Sequence, residues 1–98
     1  MVGNTSTDLL DEVRKAKSFS SDYALAKYLG VLPQTISNYR HERTQMSDEI
    51  AVAMAALIDR APAPILAQLA SERAKSPDVA KVWRDAAKVL AKMGRAGK

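Results

Sequence analysis

Residues 21–43 read SDYALAKYLGVLPQTISNYRHER, and the fold is decided in that stretch. Tyr23, Ala26 and Leu29 recur at helical spacing with Leu25 beside them, which predicts a short amphipathic helix capped by Ser20 or Ser21. Gly30 follows directly, where a left-handed backbone is cheap only for glycine, so the chain turns there. Val31 is expected to plug back into the core. Pro33 suits the opening of a second helix, at a position whose amide hydrogen would be unpaired anyway. On that helix Ile36 and Tyr39 point inward, leaving Gln34, Thr35, Ser37, Asn38 and Arg40 outside. Ala26 is small where the two helices must cross closely.

Upstream, Met1 to Ser6 is small and polar and reads as a flexible arm over residues 1–6. Thr7 can cap a first helix whose buried stripe is Leu9, Leu10, Val13 and Ala16, with acids near its start and Arg14, Lys15 and Lys17 near its end. Phe19 reads as a core plug beneath the hairpin. Downstream, His41 to Met46 reads as a polar loop. Ser47 then caps a fourth helix carrying Ile50, Met54, Leu57 and Ile58, which ends at Asp59-Arg60. Pro62 reads as a breaker and Pro64 as the first residue of a fifth helix with Ile65, Leu66 and Leu69. Ser76-Pro77 opens a sixth, expected to end at Lys92 or Met93. Its stripe runs through Val79, Val82 or Trp83, Ala86, Leu90 and Met93 at a spacing close to a heptad. Gly94 to Lys98 reads as a small basic tail.

Composition narrows the class. Apolar residues make up 47% of the chain but aromatic ones only 5%, with alanine dominant, which suits small packed helices rather than a sheet. At 98 residues the chain is long enough for one domain with a modest core. Having no cysteine, it lacks a disulfide framework, a thiolate nucleophile and thiolate metal ligands. His41 is the sole histidine, which argues against a zinc site. No nucleophile stands at a credible spacing from a base, no glycine loop is shaped to cradle phosphate, and Asp11-Glu12 and Asp48-Glu49 read as charges at helix starts. We therefore expect neither an enzyme nor a cofactor. No secretory signal pattern or bilayer-length apolar run is present, so the expected location is the cytoplasm of a bacterial host. The net charge of +4 is uneven: residues 1–60 hold seven Lys or Arg against eight Asp or Glu, and residues 61–98 hold eight against three. Bulk charge alone is a weak argument for an anionic partner here.

The order of Ala26, Gly30, Val31, Ile36 and Tyr39 resembles the helix-turn-helix of phage repressor and Cro-like DNA-binding domains. A packing-only helical hairpin is the bland alternative. The segment SERAKSPDVAKVWRDAAKVL (residues 71–90), following such a hairpin in one short chain, is similar to a family of small phage-related proteins of undefined function from filamentous-phage-like and prophage genomes. The first resemblance implies an all-α fold: a lambda-repressor/Cro-like bundle of four helices over residues 7–60, extended by one or two helices over 61–93. It also implies a sequence-specific transcriptional regulator that places its reading helix in the major groove of double-stranded DNA. Carried over by position, Gln34 and Asn38 match the reading glutamines of that pattern, and Thr35 and Ser37 lie within reach of base edges. Pro33 departs from it, standing where a polar first reader is common. Lys27, Arg40, His41, Arg43, Thr44 and Gln45 are the expected phosphate contacts. A homodimer is expected, because two heads about 34 Å apart read a palindrome tightly. Trp83, Val79 and Leu90 are its candidate contacts, although Trp83 would serve equally as core. Lys81, Arg84, Lys88 and Lys92 either follow DNA phosphate or keep one face wet. A reading from another class is a protein-interaction module, such as an antirepressor or a partner of a replication protein, that uses the C-terminal helices.

Overall fold

The structure, a computed structural model, describes residues 5–96. Every regular element among them is a helix: α1 (Thr5–Lys17), α2 (Asp22–Leu29), α3 (Pro33–Arg40), α4 (Asp48–Leu57), α5 (Pro62–Arg73) and α6 (Pro77–Ala96). The chain is all-α. Met1–Asn4, the greater part of the expected arm, and Gly97-Lys98 of the expected tail lie outside the described residues.

One core serves α1 to α5. Leu9, Leu10 and Val13 of α1 meet Leu25 and Ala26 of α2, Ile36 and Tyr39 of α3, Ala51, Met54 and Ala55 of α4, and Ile65 and Leu69 of α5. Phe19, Leu29 and Val31 pack at its edge as expected, and Phe19 also meets the Tyr28 ring at 5.3 Å. The last helix, α6, packs along α5.

The caps explain the boundaries. Ser21 is extended and accepts a hydrogen bond from the Ala24 amide, which starts α2. Gly30 ends it at φ 76°, with its own N–H donated to Lys27 and the Val31 N–H to Ala26, which is the Schellman pairing. Three other helices end the same way without glycine. Ser18, Glu42 and Asp59 all have φ of 56–57°, and the amides of Phe19, Arg43 and Arg60 reach back to Arg14, Asn38 and Ala55.

Several expectations shift. α1 begins at Thr5, before the expected cap at Thr7, and Ser6 is buried rather than part of an arm. Ala16 and Tyr23 are exposed. Leu25, Ala26 and Leu29 span a narrow arc of α2, and Tyr23 lies outside it, so only the smaller three face the core. Met46, placed in a polar loop, is fully buried. α5 starts at Pro62, not Pro64, because both prolines sit in a first turn whose amides have no intrahelical acceptor. α6 continues past Met93 to Ala96, so the tail expected over 94–98 is helical in its first three residues.

Candidate nucleic-acid interface

The geometry of α2 and α3 follows from the Gly30 corner. With Ala26 and Ile36 wholly buried at the crossing, the opposite side of α3 lies at the surface of the described residues. Gln34 is exposed there, and Thr35, Ser37 and Asn38 are half-exposed. Gln34 donates Nε2–H to Asn38 Oδ1 at 3.0 Å, one helical turn on. That bond uses neither Gln34 Oε1, an acceptor, nor Asn38 Nδ2, a donor. His41 Nδ1 lies 2.9 Å from the Ser37 carbonyl oxygen and 3.4 Å from the Ser37 hydroxyl, one helical turn back.

Arg40 does not join this surface. Its guanidinium turns back, donating Nε–H and Nη2–H to the two oxygens of Asp22 at 3.0 Å each and Nη1–H to Asp11 at 2.6 Å. Arg14 reaches the same Asp22 at 3.2 Å and also donates to the carbonyls of Phe19 and Ser20. The hydrogen bonds from Arg40 hold the Asp22 carboxyl below its ordinary range against the opposing effect of burial, and the same bonds raise Arg40. The Arg40 side chain is left only 19% exposed. Arg40, expected to meet phosphate, is thus engaged within the protein, where its bonds fasten α3 to α1 and α2.

The other expected contacts divide. Lys27, His41 and Arg43 are exposed. Thr44 and Gln45 are also exposed, but they line a hollow of about 240 Å³ with Ser6, Tyr39, Glu42 and Glu72. Two carboxylates at one hollow repel a phosphate, so this loop is a poor backbone contact. Sequence reasoning missed the apolar margin: Tyr23, Tyr28 and Leu32 are exposed, Leu32 by 72% as the residue that caps α3. The placement of Leu32 between a core residue and a proline was the available signal. On α6, Val79 and Trp83 are exposed and Leu90 is half-buried. Lys81, Arg84, Lys88 and Lys92 are exposed too, and Lys81 pairs with Asp85 at 2.9 Å.

Among the described residues, no group of His, Asp and Glu side chains is arranged to hold a metal ion. No described helix is long and apolar enough to cross a membrane. No family model matches the sequence, and no solved structure matches it. The chain is similar to "Uncharacterized protein Gp-c" of Pseudoalteromonas phage PM2, at 32% identity over 85 residues that cover 82% of this chain and 91% of that protein.

Proposed function

From the premise that this chain belongs to the family of the phage PM2 protein Gp-c, we propose that it is a sequence-specific DNA-binding regulator of a phage, built on a Cro-like helix-turn-helix. One observation carries the reading: α3 buries Ile36 and Tyr39 while the amides of Gln34 and Asn38 face away from the protein, coupled to one another. A helix fits the major groove, and side chains in its N-terminal half meet base edges. Gln34 Oε1 accepts from an adenine N6 amino group while an amide N–H of the pair donates to N7. Thr35 and Ser37 contact the neighbouring bases, and Leu32 with Pro33 presents apolar surface to a thymine methyl.

Lys27, His41 and Arg43 meet phosphates on either side of the reading helix. Arg40 holds the helix at the correct angle without touching DNA. Two heads in a homodimer then bind an inverted repeat and exclude polymerase sterically. The exposed apolar residues of α6 favour a second reading, the protein-interaction module, in which that helix receives a different protein.

Selection of bound duplexes from a random DNA pool separates the two. The regulator enriches an inverted repeat with half-sites about one turn apart. A pool that stays unenriched at low salt contradicts the reading.

A further inference from the structure

The exposed apolar side of α6 is not a single stripe. The face against α5 is centred on Ala87, which is buried, with Ala80, Leu90 and Ala91 half-buried around it. Turned about 120° from that face, by the 100° step of a helix, is a second row: Val79, Val82, Ala86, Val89 and Met93. Its spacing alternates three and four without a break, which makes Val79, Ala86 and Met93 the a positions of a heptad and Val82 and Val89 the d positions. Val82 is 65% and Met93 62% exposed. Val79, Val82, Val89 and Met93 are exposed among the described residues, with Ala86 half-buried between them, and a monomer seldom leaves so regular an apolar seam in water.

We propose that the seam is filled by α6 of a second copy, running antiparallel, about a twofold axis between Ala87 and Lys88. This rests on the homodimer proposed above but not on DNA reading. Residues flanking the seam select the arrangement. On the α5 side these are Trp83 and Leu90; on the outer side they are Asp78, Asp85 and Lys92. In an antiparallel pair, like flanks face each other. The register that seats Ala86 against Val89 and Val82 against Met93 of the second copy also sets Asp85 beside Lys92, and Trp83 beside Leu90, each twice. A slip of one heptad in either direction brings Asp85 or Lys92 against its own equivalent. A parallel pair would place Asp78 against Trp83 and Asp85 against Leu90, leaving carboxylates on apolar side chains. One register thus satisfies charge on one flank and apolar contact on the other. Asp85 is then shared between Lys81 of its own helix and Lys92 across the seam.

The chain has no cysteine, so introduced thiols report cleanly. Val82→Cys and Met93→Cys are made separately in the full chain, and each is oxidised alone and then mixed, without DNA. The proposal predicts a disulfide in the mixture and none in either variant alone, because like positions are then about 16 Å apart along the axis, beyond disulfide reach. Cross-linking of Val82→Cys with itself means a parallel pair and overturns the proposal. So does the absence of a cross-link in the mixture, or a parent chain that sediments as a monomer at about 100 μM, an affinity too weak to matter. Asp85→Lys and Lys92→Asp each weaken association roughly three- to ten-fold, and together they recover it. With no DNA present, a failure here concerns dimerisation alone, and sequence-specific binding is read separately by the duplex selection.

Discussion

Arg40 shows how far a residue's surroundings decide its role. Leaving the end of α3 as a lone cation next to His41 and Arg43, it reads as a phosphate contact. Its actual partners stand 18 and 29 residues away, and no local pattern announces them. Asp11 reads in the sequence as a charge at a helix start, but it lies in the middle of α1, whose first turn holds Asp8, while Asp22 does open α2. Arg40→Ala should lower stability by about 1–3 kcal/mol, since it leaves Asp22 and Asp11 without their main partner. Arg43→Ala should leave the melting temperature unchanged and reduce the salt dependence of DNA binding by about one phosphate equivalent. Thermal melts and binding isotherms at several salt concentrations separate the two arginines; equal melting temperatures for both variants would return Arg40 to the DNA surface. The clamp also has a pH signature. Asp22 is held below its ordinary value of 3.8, so its contribution is full above that value and disappears as pH falls through the lower folded value. Asp22→Asn should therefore flatten the loss of stability between about pH 5 and pH 2, and a curve parallel to the parent's would contradict the clamp.

At the scale of the element, the hairpin was legible because both of its ends carry strong local chemistry: serine at the start of α2, glycine at its end, proline at the start of α3. The other helix ends were not. Ser18, Glu42 and Asp59 take the left-handed conformation that Gly30 takes, yet serine and glutamate do not signal it and aspartate does so far more weakly than glycine. Only the returning bonds from Phe19, Arg43 and Arg60 show that the same cap is being made. Glu42→Gly should accordingly stabilise the domain by up to about 1 kcal/mol, offset in part by a floppier unfolded chain, and raise the melting temperature by a few degrees. Gly30→Ala should do the reverse: a methyl there meets nothing within 4 Å, so the cost lies in the backbone at φ 76°. A Glu42→Gly variant that melts lower than the parent would mean the Glu42 side chain holds the loop in some other way. Met46 escaped the sequence reading for a different reason. A single apolar residue closing a polar loop has no periodicity to betray it, although it plugs the core completely.

For the whole molecule, five or six helices and one core were readable from caps and periodicity, while the division of labour among them was not. The residues of α6 form two apolar rows that sequence alone merges into one, since Trp83 and Leu90 fall between the row on α5 and the row facing water. The net positive charge is concentrated beyond residue 60, yet the α2–α3 surface relies on amides more than on cations. Such a head should bind DNA with modest affinity alone and gain from being doubled. The proposed account therefore stands on Gln34 and Asn38 meeting base edges. The direct measurement compares the parent with the Gln34→Ala, Asn38→Ala double variant, titrating each against the selected operator and against a scrambled duplex at one salt concentration. The account predicts that the variant keeps its fold and its affinity for the scrambled duplex, and loses about 1–3 kcal/mol of preference for each paired contact. A variant that prefers the operator as strongly as the parent does would contradict it.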